Sequence, residues 1–256
     1  MVQPLDYYDP QGLSVVFYDL LSARDPTLEG DVAFYAGLIP HGSWVLELGC
    51  GTGRVGLPLA QDDRAVVGLD LSPAMLQRAL AKRAGLAPEV QARTAFVLGD
   101  MTDFDLGHRF DAVIAPYFGV SHLPAGEARR KTMACIARHL QPGGLAVLHA
   151  VLPAVFAAPV EGDPRRMLMD LAFNPEGERL QLSVAELAYD PARAHFTQVL
   201  DYVVTGPDGV ERKRSRERLA FFLTDLEADA EGSGLSLERK VSPFNTIGEM
   251  WLFRKG

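Results

Sequence analysis

Cysteine is almost missing from this chain: Cys50 and Cys135 are the two in 256 residues. Two thiols without a framework spacing exclude a disulfide-stapled fold and point to reduced thiols in a cytoplasmic setting. Long apolar runs are missing as well. A spanning helix needs roughly 20 apolar residues, and the most apolar stretch, Gly144 to Val160, is broken by His149, Pro153 and Pro159. It reads as a buried strand followed by a loop, so no membrane partner is expected. The opening Met1-Val2-Gln3-Pro4-Leu5-Asp6 has neither a basic leader nor an apolar run, so no signal peptide is expected. Basic charge is scarce, with a net charge of −8. That argues against nucleic acid as a partner, because phosphate contacts come from clustered Lys and Arg. The six histidines form no His-x-x-His or His-x-x-x-His pair, so no metal site is expected.

What remains suits a soluble globular protein: 48% hydrophobic and 23% charged residues, enough for one large α/β domain or two small ones. Residues 12–39 carry helical signals, with Val15, Val16, Tyr18, Leu20 and Leu21 as apolar positions. From Trp44 short β-rich runs (Trp44–Leu48, Ala65–Asp70, Thr94–Leu98, Phe110–Ala115, Leu145–Val151) alternate with helical segments near Val55–Gln61, Pro73–Ala84 and Gly126–Leu140. Apolar strands separated by helices predict a doubly wound, mostly parallel sheet whose strands all end on one ligand-binding edge. After Pro153 the rhythm changes to strands joined by turns: Leu180–Tyr189, His195–Val204 and Val210–Phe222, the last entered through Gly206-Pro207-Asp208-Gly209. These predict an antiparallel insertion after the fifth strand. A helix near Thr224–Gly232 and strands Ser236–Val241 and Glu249–Arg254 would return to the main sheet, making seven strands. The expected layout is a single domain over 1–256: an N-terminal helical cap (1–40), a cofactor-binding core (41–151), the insertion as flap or dimer contact (152–222), and a closing helix with two strands (223–256).

The strongest local signal is Val45-Leu46-Glu47-Leu48-Gly49-Cys50-Gly51-Thr52-Gly53-Arg54, a buried strand running into a glycine-rich turn and a helix. Its plain reading is a tight turn with no ligand. Two ligand readings compete with that. Gly51-Thr52-Gly53-Arg54-Val55-Gly56 satisfies the dinucleotide fingerprint, with Asp70 about 20 residues on as the ribose acid. Against it, Glu47 would set a carboxylate beside a pyrophosphate, and like charges in a partly dry cleft repel. S-adenosylmethionine has no phosphate, and its methionyl ammonium suits an acidic neighbour.

The segment Glu47-Leu48-Gly49-Cys50-Gly51-Thr52-Gly53 resembles the first motif of the class I S-adenosylmethionine-dependent methyltransferases. The resemblance continues at Val67-Gly68-Leu69-Asp70-Leu71-Ser72-Pro73-Ala74-Met75-Leu76, at Leu98-Gly99-Asp100-Met101-Thr102-Asp103-Phe104 and at Leu140-Gln141-Pro142-Gly143-Gly144, in order over residues 44–151. It implies a Rossmann-like α/β fold and S-adenosylmethionine as cofactor. By that resemblance Glu47 with Gly49, Cys50, Gly51, Gly53 and Arg54 would hold the methionyl part, and Asp70 the ribose hydroxyls. Leu71 and Met75 would pack near the adenine. Gly99, Asp100 and the Met101 amide would address the adenine nitrogens, with Ala115 and Tyr18 also lining the cofactor. Carboxylates suit hydroxyl and amino donors, and apolar side chains suit an aromatic face. The plain alternatives are a helix cap or turn acid at Asp70 and a turn acid at Asp100.

Methyl transfer from a sulfonium is an in-line displacement, so alignment and exclusion of water are the protein's main tasks. The acceptor side should lie at Ala115-Pro116-Tyr117-Phe118-Gly119-Val120-Ser121-His122-Leu123. Ala115 replaces the amide of the Asn/Asp-Pro-Pro-Tyr motif of base-amino methyltransferases, which again disfavours nucleic acid. The segment resembles small-molecule N- and O-methyltransferases. His122 is the candidate general base, since imidazole titrates near neutral pH; its alternative is to fix the loop. Tyr117 is a second catalytic candidate. Phe118, Tyr7 and Tyr8 are candidate acceptor contacts, with helix packing the alternative for the N-terminal tyrosines. His149 is expected to be a satisfied core histidine. Arg212, Arg214, Arg216 and Arg218 alternate on one strand face, read as solvated and paired with nearby acids, or as a site that recognises an acidic group or a partner. Taken together, the residues predict methyl transfer to N or O of a small molecule by a monomer or homodimer. The alternatives are an NAD-dependent oxidoreductase and a non-catalytic S-adenosylmethionine-binding protein.

Overall fold

A computed structural model describes residues 3–157, 166–190 and 192–256. Its helices are α1 (Leu13–Ser22), α2 (Asp31–Leu38), α3 (Gly56–Gln61), α4 (Pro73–Ala84), α5 (Pro88–Ala92), α6 (Glu127–His139), α7 (Pro153–Ala157) and α8 (Leu226–Ala230). The strands are β1 (Leu5–Asp6), β2 (Trp44–Leu48), β3 (Ala65–Asp70), β4 (Thr94–Leu98), β5 (Phe110–Ala115), β6 (Leu140–Val151), β7 (Arg166–Ala172), β8 (Arg179–Asp190), β9 (His195–Thr205), β10 (Glu211–Phe222), β11 (Leu235–Phe244) and β12 (Gly248–Lys255). The chain gathers into two compact units, one of residues 1–24 with 153–222 and one of residues 25–152 with 223–256.

The larger unit holds a seven-stranded sheet in the order β11-β12-β6-β5-β2-β3-β4. β4, β3, β2, β5 and β6 run parallel, and β12 is antiparallel to both β6 and β11. This is the expected Rossmann-like α/β sheet. Strands covered on both sides must be apolar throughout, and Val45, Leu46 and Leu48 are fully buried. Leu46, Leu48, Val113 and Leu148 pack with Met133 and Ile136 of α6. Val45, Ile114 and Val147 pack on the other face with Tyr35 of α2, Val55 before α3 and Leu59 within it. The helices obey their end signals: Ser72 Oγ accepts from the Met75 amide (3.4 Å) with Pro73 opening α4, and Lys82 and Arg83 close it against the helix dipole. The chain winds from β2 outward to β4 and then to β5 and β6 on the other side, so the order reverses between β2 and β5. Open α/β sheets bind ligands at that reversal, outside the strands' carboxyl ends.

The smaller unit is a five-stranded sheet, β1-β10-β9-β8-β7, antiparallel except for β1 beside β10. α1 lays Leu13, Phe17, Leu20 and Leu21 against Leu180, Leu182, Leu200 and Tyr202. Residues 1–40, expected as one cap, are divided: α1 belongs here and α2 to the larger unit. β1 and β7 were not foreseen. Two residues are too few for a period, and Met167-Leu168-Met169 lacks the β-branched residues that signal a strand. β6 starts at Leu140, earlier than expected, because Gly143 at φ +75° lets Pro142-Gly143-Gly144 continue the strand. The loop expected up to Val160 is helical over Pro153–Ala157; its last part, 158–160, lies outside the described residues.

Candidate active site

The glycine turn leaves the carboxyl end of β2 and folds back on β3, with the Gly49 and Cys50 amides donating to the Leu69 carbonyl (2.8 and 3.1 Å). Gly51 and Gly53 sit at φ +55° and +73°, a region side chains rarely adopt, and a Cβ on Gly53 would press on Leu57 and Phe96 at 3.0–3.1 Å. The Cys50 side chain is buried against Gly68, and burial raises its thiol well above the ordinary range, so it is inert packing.

Beneath this turn Glu47 is 2% exposed, and its Oε2 has no hydrogen-bond partner among the described residues. Burial pushes its carboxyl up to about 8, against the opposing pull of Arg54 and the Gly56 amide. Arg54 extends from the turn to Asp31 at the start of α2 as a bidentate pair, Nη1–Oδ1 2.9 Å and Nη2–Oδ2 2.6 Å. Its guanidinium also lies 5.8 Å from the Tyr117 ring centroid. Neither partner was legible as such, because Asp31 and Arg54 are far apart in sequence.

At the end of β3, Asp70 accepts from the Gly51 amide (2.7 Å) and the Ser72 amide (2.8 Å). Burial raises its pKa while those amides oppose the rise. It thus ties the glycine turn to the start of α4, and Ser72 is the α4 cap. Two large apolar side chains beside it stand in water: Leu71 is 71% exposed, and Leu98, the cross-strand partner of Asp70, is 58% exposed. An acid flanked by bare leucines at a glycine turn fits a ribose with an attached aromatic base. Met75 is buried at 1%. Asp100 accepts from the Thr102 amide and hydroxyl (both 2.8 Å), a turn acid by geometry, at the end of β4. A Cβ on Gly99 would press on Leu69 at 3.0–3.3 Å, and Met101 Cε lies 3.5 Å from a Cβ built on Gly49.

β5 ends at the fully buried Ala115, and Tyr117 and Phe118 follow at φ +50° and +62°. Consecutive left-handed non-glycine residues cost about 1–3 kcal/mol each and persist only when their surroundings hold them. Tyr117 Oη donates to Asp25 Oδ2 (2.7 Å), and Ser121 Oγ accepts from the Val151 amide (3.0 Å). His122, half-buried, ends the short helical turn Gly119–His122. Phe118 packs on His149 with centroids 4.3 Å apart, and Phe244 meets the same imidazole edge-on at 5.5 Å. His149 is a core residue, as expected, but not a satisfied one: it is fully buried and neither ring nitrogen has a partner among the described residues.

In the smaller unit Tyr7 and Tyr8 pack at 4.3 Å, and Tyr8 meets Tyr18 edge-on at 6.1 Å. Tyr202 Oη donates to Tyr7 Oη (3.3 Å). Arg212 pairs with Asp208, Arg214 with Glu211 and Asp201, and Arg216 with Glu186 and Asp201, the paired-face reading for these three of the four arginines. No group of three or more metal-binding side chains occurs among the described residues, and no helix there is long and apolar enough to cross a membrane.

A methyltransferase-domain model matches residues 45–144. The chain is similar to a dTDP-4-amino-2,3,4,6-tetradeoxy-D-glucose N,N-dimethyltransferase of Saccharopolyspora spinosa, 28% identical over 78% of this chain and 74% of the relative. A dTDP-3-amino-3,6-dideoxy-alpha-D-glucopyranose N,N-dimethyltransferase of Streptomyces fradiae is 28% identical over 90% of this chain and 86% of that one. Among solved structures, the CcbJ methyltransferase of Streptomyces caelestis superposes with a TM-score of 0.75 at 23% identity, covering 98% of both chains. CalS10, an amino pentose methyltransferase of Micromonospora echinaspora solved with S-adenosylmethionine bound, gives 0.74 at 22% identity, covering 94% of this chain and 97% of its own. With the seven-stranded sheet and its glycine turn, these define an α/β methyltransferase. The chain carries a methyltransferase domain over residues 45–144 and is an S-adenosylmethionine-dependent methyltransferase that acts on a small molecule. The nicotinamide reading of Gly51–Gly56 gives way to this one.

Proposed function

We propose that the enzyme N-methylates the amino group of a nucleotide-linked amino sugar. The observation that carries this reading is the reach of the likeness: a dTDP-amino-sugar N,N-dimethyltransferase is similar over 90% of the chain, well past the cofactor-binding core. Asp70 takes the ribose hydroxyls, Leu71 and Leu98 the faces of the adenine, and Asp100 with the Met101 amide its nitrogens. The main chain at Gly49–Gly53 and the Glu47 carboxyl serve the methionyl end. When bound, the cofactor supplies an already activated methyl carbon. The chain's work is then to orient the acceptor, exclude water and receive a proton. Ala115 lines the cofactor, Tyr117 and Phe118 wall the acceptor, and His122 receives the amine's proton.

We place the enzyme in the cytoplasm, on the support of two free, buried thiols, as a monomer or homodimer that does not bind nucleic acid. The test is incubation with S-adenosylmethionine and a panel of dTDP-amino sugars, simple amines and phenols, with methylated products identified by mass spectrometry. Mono- and dimethylation of an amino sugar is the expected result; turnover of phenols alone would overturn the amine reading.

A further inference from the structure

His149 is an ionisable side chain that finds no hydrogen-bond partner among the described residues. Burying an imidazole without a partner is unfavourable, and a leucine or methionine would fill the same space without that cost. Burial, and then the Arg54 charge, push its pKa down to about 3, so the ring is neutral at physiological pH. The fold also makes room for it: a Cβ on Gly248 would collide with Nε2, and Phe118 and Phe244 pack around the ring.

Its place along the sheet edge gives it a use. On the proposed reading the cofactor's adenine lies at β4, its ribose at β3 and its methionyl end at β2, so the acceptor comes next along the edge, at β5 and β6. His149 is the residue after Leu148, which pairs with Ala115, the last residue of β5. The unpartnered imidazole therefore stands two strands from the glycine turn, behind the loop that walls the acceptor.

We propose that His149 is a positioning residue for the methyl acceptor: its neutral imidazole accepts a hydrogen bond from the acceptor's N–H and so aims the nitrogen lone pair. Phe118, held left-handed against the ring, is the side chain that swings aside to admit it. No proton is transferred to His149, which is too weak a base to keep one. The choice of an N–H donor rests on the amine reading of the acceptor; the position of His149 does not.

The experiment compares full-length wild type, His149→Leu and His149→Gln. It uses steady-state kinetics with the dTDP-amino sugar, calorimetry with S-adenosylhomocysteine, and thermal unfolding. His149→Leu is expected to raise the acceptor KM on the order of tenfold, the loss of one hydrogen bond. It should leave the S-adenosylhomocysteine Kd and the position of the pH–rate profile unchanged and should not lower Tm. His149→Gln, which keeps an acceptor oxygen, should recover most of the KM. Unchanged kinetics in His149→Leu, or equal losses in both variants together with a lower Tm, would overturn the proposal. If wild type methylates only hydroxyl acceptors, the amine reading falls by itself. The same two variants then decide the role of His149 with the hydroxyl acceptor.

Discussion

Arg54 and Asp31 meet in a two-pronged ion pair whose carboxylate is 1% exposed and whose guanidinium is 16% exposed. The pair fastens the glycine turn to α2, and the same guanidinium lies over the Tyr117 ring in the loop after β5. Removing one partner of a buried pair strands the other charge, so Asp31→Ala is expected to destabilise the protein by ~3–5 kcal/mol. Replacing both, as in Asp31→Leu with Arg54→Met, should lose much less. Denaturant unfolding of the two variants checks this, and a double variant as unstable as the single would refute it.

Asp70→Ala should weaken S-adenosylmethionine binding by ~1–3 kcal/mol, the range for losing hydrogen bonds to a charged group. Calorimetry on the folded variant is the measurement. An unchanged Kd would reduce Asp70 to its structural task of joining the Gly51 and Ser72 amides.

Glu47 makes a pH prediction. Its carboxyl titrates near 8 in the fold against an ordinary 4.5. The folded state therefore holds the proton more tightly than the unfolded one. The associated stability is fully present below about 4.5 and is lost as pH rises through 8, where a buried charge must be carried. Glu47→Gln, which cannot ionise, should gain stability relative to wild type between pH 5 and pH 9, by a few kcal/mol at the upper end. Parallel Tm curves over that range would contradict it. For the same reason a cationic methionyl group at Glu47 should expel a proton, visible as binding heat that varies with the buffer.

His122→Asn tests the proton acceptor. Turnover should fall by ~10²–10⁴ with cofactor affinity near normal. Near-wild-type turnover at saturating acceptor would leave alignment as the source of rate.

The sheet was legible wherever a strand is apolar throughout and punctuated by glycine or an acid. β2, β3, β4 and β5 have the boundaries their residues suggest, and Pro73 with Ser72 marks α4. β7 was not legible, since methionine and leucine carry no strand period, and β1 is too short to show one. The turn glycines, Asp70 and Asp100 announce themselves through local spacing. The residues that brace them do not. Asp31 finds Arg54, Asp25 finds Tyr117 and Phe244 finds His149 only through the packing of distant segments. That His149 finds no hydrogen-bond partner among the described residues is a property of a whole neighbourhood, which no window of sequence contains.

The place of β12 between β6 and β11 has a consequence for synthesis. β6 ends at Val151 and its neighbour on that side begins at Gly248. A ribosome adding roughly 5–20 residues per second spends about 5–20 s on the intervening stretch. Throughout that interval the apolar flank of β6 lacks its strand, and unpaired flanks of this kind recruit other chains. Production at high expression should therefore be limited by events on the ribosome. Slower initiation, or a chaperone that shields extended nascent segments, should raise the soluble yield more than any substitution that stabilises the finished fold.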